Sequence, residues 1–171
     1  MNVYLGDIKI ELIGKRPQTG FSLQKTFSIP AAYNTKRALK NDSLKKGWVI
    51  ISTLPNIKSN ECSMQILNLE NEIKKLNEKI RIFHIACDSP DHWEGVKELH
   101  PSLKAKGFCL NLAAKKDVMN FKESFGVGVK GSERIAHGLF AFRDGKLIGS
   151  LIPKQQYGIP NIKGFLKSLG F

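Results

Sequence analysis

The sequence predicts an α/β domain in which a central sheet of mixed strand direction is flanked by helices, with a β-hairpin added at the N-terminus. Three observations lead there. "GWVIISTLP" (Gly47–Pro55) and "RIFHIAC" (Arg81–Cys87) are short continuous apolar runs, as strands buried on both faces read. Between them Ile66, Leu69, Ile73, Leu76 and Ile80 recur at three- and four-residue steps, a helical stripe of about five turns. Near the C-terminus, "HGLFAFRDGKLIGSLIP" is two apolar runs joined at Asp144-Gly145, a strong hairpin signal.

The remaining elements follow in order. Val3–Leu5 and Ile8–Leu12 form a hairpin turning at Gly6-Asp7, with Ile8, Ile10 and Leu12 on one face. A looser stretch containing "GKRPQTG" leads to a strand at Thr26–Ile29. After the second buried run come a short helix at Asp88–His100, a third strand at Phe108–Leu112, and a helix at Asp117–Phe125 that stops at Gly126. The C-terminal hairpin follows, and Asn161–Leu169 closes the chain as a helix. Strand, helix, strand, helix, antiparallel hairpin and final helix is the order of a thioredoxin-like domain. With 171 residues and no linker or repeat, residues 1–171 are expected to form one such domain, with the hairpin at 1–14 an addition to it.

Composition narrows the function classes. Hydrophobic content of 42% and charged content of 25% are ordinary for a soluble globular protein. No apolar run approaches the roughly 20 residues that span a bilayer, and the N-terminus lacks the basic start and apolar stretch of a signal peptide. A cytoplasmic chain that does not engage membranes is expected. The net charge of +12 raises the question of nucleic acid. The cations are scattered pairs (Lys36/Arg37, Lys45/Lys46, Lys74/Lys75, Lys115/Lys116) without interleaved aromatics, which reads as a solvated basic surface and not a nucleic-acid site. Cys62, Cys87 and Cys109 are odd in number, contain no CxxC, and pair with no histidine at ligand spacing. Neither a disulfide framework nor a metal site is expected, and no cofactor is implied.

Cys62 stands out by position. Ser59 is a good N-cap, which places Cys62 at about the third helical position. Free backbone N–H groups and the positive end of the helix dipole favour a thiolate there, and thiolate is the nucleophilic form. Position alone leaves open a second reading, a buried cysteine that only fills space. A free cysteine has a pKa of ~8.5, and a helix N-terminus contributes only ~0.3–1 kcal/mol, so a reactive thiolate also needs a nearby cation. Glu61 acts against it.

"TLPNIKSNECSMQILNLENEI" resembles the active-site segment of the thiol peroxidase branch of the peroxiredoxins, whose pattern is Pro-x-x-x-Thr-x-x-Cys; here it reads Pro55, Ser59 and Cys62. "FHIACDSPDHW" is similar to the family's strand ending in Asp-x-Pro, and "FKESFGVGVKGSERIAHGLF" to its Tyr-Gly-Val segment and following strand. "LIPKQQYGIPNIKGFLKSL" and the N-terminal hairpin also fit, so the resemblance covers nearly the whole chain in order.

The resemblance implies a peroxidase in which Cys62 attacks a hydroperoxide and becomes a sulfenic acid. Pro55 shields the pocket, and Ser59, where Thr is usual, hydrogen-bonds at the peroxide. It also implies a homodimer reduced by thioredoxin. Two departures are plain. The place of the resolving cysteine falls at about Lys97, so resolution passes to an external small thiol, or to Cys87 or Cys109. Where the family carries an Arg just before "GLFAF", this chain has His137, expected to supply the positive charge as an imidazolium. Arg134 lies three residues upstream in the preceding loop. These departures leave an alternative: a catalytically inactive, peroxiredoxin-like binding or redox-sensing protein.

Overall fold

In the computed structural model, which describes residues 1–171, the hairpin comes first: β1 (Asn2–Leu5) and β2 (Ile8–Ile13) pair antiparallel around Gly6-Asp7. Three short strands follow, β3 (Ser28–Ile29), β4 (Ala31–Tyr33) and β5 (Leu39–Lys40). The first apolar run becomes β6 (Trp48–Leu54), followed by α1 (Asn60–Lys74) and β7 (Ile80–Ala86). Next are α2 (Pro90–Leu99), β8 (Gly107–Cys109), α3 (Lys115–Phe125) and β9 (Gly128–Val129). The hairpin of β10 (Gly138–Arg143) and β11 (Lys146–Leu151) turns at Asp144-Gly145, both with positive φ (50° and 83°) as a primed two-residue turn requires. Helix α4 (Ile162–Ser168) ends the chain.

Six strands form the central sheet in the order β11-β10-β6-β7-β8-β4. β6, β7 and β8 run parallel, while β10 pairs antiparallel with β6 and β4 antiparallel with β8. Side chains alternate across this sheet. Ile50 joins Leu69 and Ile73 of α1 and Phe165 of α4 on one face. Val49 and Ile51 meet Phe121 and Phe125 of α3 and the hairpin residues Val3 and Leu12 on the other. Both faces of β6 and β7 are therefore covered, which is why their sequences are apolar without a break. A third cluster lies where β6 and β7 end, joining Leu54, Ile57, Cys62, Ile66, Trp93 and Val96. Trp93 stacks on Tyr33, with ring centroids 5.9 Å apart. A small sheet, β1-β2-β9, and the β3-β5 pair complete the strands.

Three expectations are corrected. The α1 stripe ends at Lys74, and Leu76 and Ile80 fall outside the helix. They prolong the stripe because both pack against the core that α1 covers, Leu76 from the connecting turn and Ile80 from the start of β7. The third strand stops at Cys109, since Leu110–Leu112 is a 3-10 turn closed by Ala113 N–H on the Leu110 carbonyl (3.0 Å). The strand expected at Thr26–Ile29 is only Ser28–Ile29.

Candidate active site

The thiol of Cys62 is positioned by the way β6 hands over to α1. Pro55 has no N–H and ends the strand's donors. Two residues later Ile57 N–H is taken by the carboxylate of Asp88 (Oδ2, 2.9 Å). Ser59 is extended (φ −74°, ψ 147°), and its Oγ accepts from Cys62 N–H at 3.2 Å, capping the helix. Cys62 thus occupies the third helical position, entirely buried among Leu54, Ile57, Ile66, Ala86 and Trp93. Burial pushes its thiol pKa up from 9.0. The Ser59 hydroxyl and the Asn56 backbone N–H pull the other way, whereas Asp88 and Glu61 add to the rise.

The cation beside this loop is Arg134. Its guanidinium Nη1 donates to the Pro55 carbonyl (3.1 Å) and to Asp88 Oδ1 (2.7 Å). Asp88, 2% exposed at its side chain, therefore clips together the loop preceding Cys62 and the loop preceding β10. The hydrogen bond to Asp88 is the main reason Arg134 holds its proton more tightly than usual, and the charges of Asp88, Cys87 and Cys62 contribute. Arg134 meets the Cys62 loop through the Pro55 carbonyl and Asp88, not through the thiol itself.

His137 is not the expected imidazolium. It is 3% exposed, and burial lowers its pKa from 6.5 to about 4, opposed only by Glu61. Gln65, one turn after Cys62 on α1, donates through Nε2 to Ser52 Oγ (2.8 Å), so its Oε1 is the acceptor facing His137 Nδ1 at 2.6 Å. Nδ1 accordingly carries the proton of a neutral ring. The backbone N–H of His137 donates to Gln156 Oε1 (2.6 Å). Sequence reasoning missed Gln65 and marked Asp88 only within its Asp-x-Pro segment, because the partners of both lie on distant parts of the chain.

All three cysteines are free and buried. Cys87 belongs to the core on the sheet face opposite Cys62. Its Sγ donates to the Glu133 carbonyl at 3.0 Å, and burial raises its pKa to about 11. Cys109 Sγ lies 3.6 Å from the Cys87 carbonyl, and burial raises its pKa as well. Lys97 is exposed on α2. No group of three or more His, Cys, Asp or Glu is placed to hold a metal ion. A cavity of about 260 Å³ adjoins the Pro55–Arg134 contact, lined also by Val3, Leu5, Ile10 and Ile135. No helix is long and apolar enough to cross a membrane.

No protein-family model matches the sequence, and no curated protein matches it. Solved structures do. A thiol peroxidase from Chromobacterium violaceum superposes with a TM-score of 0.80 at 15% identity, covering 99% of this chain and 96% of that one. A peroxiredoxin-like protein from Aquifex aeolicus gives 0.77 at 16% identity, covering 99% and 95%. A Plasmodium vivax 2-Cys peroxiredoxin gives 0.67 at 13%, covering 93% and 94%. The thioredoxin-like fold of the peroxiredoxins is thereby shown, along the whole chain.

Proposed function

We propose that this protein is a thiol-dependent peroxidase of the thiol peroxidase type, one domain spanning 1–171, in which Cys62 is the nucleophile. The observation that carries the reading is the placement of Cys62 in the first turn of α1, under the Ser59 cap and beside the Arg134–Pro55 contact. In this fold that arrangement joins a nucleophile to hydrogen-bond donors and a fixed cation.

The Cys62 thiolate attacks one oxygen of a hydroperoxide, the O–O bond breaks, and the second oxygen leaves with a proton as water or an alcohol. Cys62 becomes the sulfenic acid. An external thiol then attacks that sulfur, releasing water and forming a mixed disulfide, and a second thiol frees Cys62. Arg134, not His137, is the cation of this step. Pro55 shields the pocket, and Ser59 hydrogen-bonds the reacting oxygens. Cys87 sits on the far face of the sheet and Cys109 bonds towards it. That supports resolution by thioredoxin or a small thiol over resolution by either residue. Burial raises the Cys62 thiol pKa, so its reaction with a hydroperoxide is expected to quicken as pH rises. The same reading makes the protein a cytoplasmic homodimer.

The test is consumption of hydrogen peroxide or an organic hydroperoxide in the presence of dithiothreitol or thioredoxin. Cys62→Ser abolishes it while the fold is kept. Turnover retained in that variant contradicts the proposal.

A further inference from the structure

Lys122 of α3 is a buried ammonium, 6% exposed, and no carboxylate lies within salt-bridge distance of it. Its Nζ donates only to two backbone carbonyls, of Glu133 (2.7 Å) and Ser132 (3.3 Å). Burying a charge on carbonyls alone is costly. An apolar side chain of similar length would avoid that cost, which directs attention to the carbonyls that the ammonium holds.

What it holds is the peptide bond leading into Arg134. The Glu133 carbonyl accepts from both Lys122 Nζ and Cys87 Sγ (3.0 Å). The amide at the other edge of the same planar unit, Arg134 N–H, donates to Ser132 Oγ (3.0 Å). Arg134's own carbonyl accepts from Val129 N–H (3.0 Å). The main chain on both sides of the Arg134 Cα is thus pinned, although the side chain it launches is 46% exposed and long enough to take many rotamers. With the launch point set, the guanidinium falls on Pro55 O and Asp88.

We propose that Lys122 is a positioning residue for the site: by pinning the Glu133–Arg134 peptide from beneath, it sets the Arg134 guanidinium against the Pro55 loop and so acts on Cys62 without touching it. The proposal rests on the reading of Cys62 as the nucleophile and Arg134 as its cation.

A double-mutant cycle tests it, with Lys122→Met, Arg134→Met and the pair, read by the pH dependence of iodoacetamide alkylation at Cys62 using peptide mapping. This readout does not require peroxidase activity, so it stands even if peroxide is not consumed. Each single variant is expected to raise the apparent pKa of Cys62 by about one unit, which slows alkylation at fixed pH about tenfold. The double variant is expected to match Arg134→Met alone. Lys122→Gln, which keeps an N–H donor for the Glu133 carbonyl, should fall between wild type and Lys122→Met, and it serves if the Met variant does not fold. In steady-state assays the loss should appear in kcat/KM for the hydroperoxide, the step in which the Cys62 thiolate attacks. A Lys122 variant that alkylates like wild type, or one that slows Cys62 equally with Arg134 already removed, overturns the proposal.

Discussion

Acidifying the protein should destabilise it through His137 by an amount the structure allows to be worked out. The neutral ring donates Nδ1–H to Gln65 Oε1 and is 3% exposed. Its pKa drops from 6.5 to about 4 because burial disfavours the charged form. In the unfolded chain the same ring takes up a proton below 6.5. The stability this neutral ring contributes is therefore complete above 6.5 and is lost as pH falls from 6.5 to about 4. That gap is worth about 3 kcal/mol at about 1.4 kcal/mol per pH unit, a large share of the ~5–15 kcal/mol that holds a typical domain together. The assay is urea unfolding followed by circular dichroism across this range, comparing wild type with His137→Asn. Asn keeps an N–H donor for Gln65 but does not titrate, and every other acidic transition is common to both proteins. Wild type should lose about 3 kcal/mol relative to the variant on acidification. Parallel stability curves, or an imidazole resonance titrating at or above 6.5 in the folded protein, would refute the reasoning.

Three further outcomes are expected. Asp88→Ala removes the acceptor shared by Ile57 N–H and Arg134 and should destabilise by about 2 kcal/mol, seen in urea midpoints. Ser59→Ala removes the cap of α1 and should destabilise by about 1 kcal/mol, while also slowing alkylation of Cys62 by loss of the hydroxyl that favours its thiolate. The rate of Cys62 alkylation in the folded protein should keep climbing as pH passes 9.0, because burial raises the thiol pKa, whereas in urea it should level off near the ordinary cysteine value.

Much of this was legible in the sequence, for reasons that differ by element. β6 and β7 announce themselves because both faces are buried, and Asp144-Gly145 because a primed turn needs positive φ at two successive residues. Ser59 and Cys62 are readable together because capping is a local property, fixed three residues apart. The surroundings of the thiol were not readable, since they are assembled from distant segments. Asp88 reaches back across 31 positions to Ile57, and Arg134 across 79 to Pro55. The different surroundings of His137 and Arg134 follow from burial: position 137, just before β10, lies in the core, where a charge is disfavoured, while position 134 in the loop is left half in solvent. β4 escaped notice because three residues after Pro30 have no period, and it exists only through pairing with β8 and the Tyr33–Trp93 stack.

The most direct test of the central claim is to treat fully reduced protein with an equimolar amount of hydrogen peroxide, quench over seconds, and locate oxidation by peptide mapping. Selective oxidation of Cys62 to a sulfenic acid, faster than at Cys87 or Cys109, is what the account predicts. Oxidation of Cys62 no faster than of the other two buried thiols would contradict it.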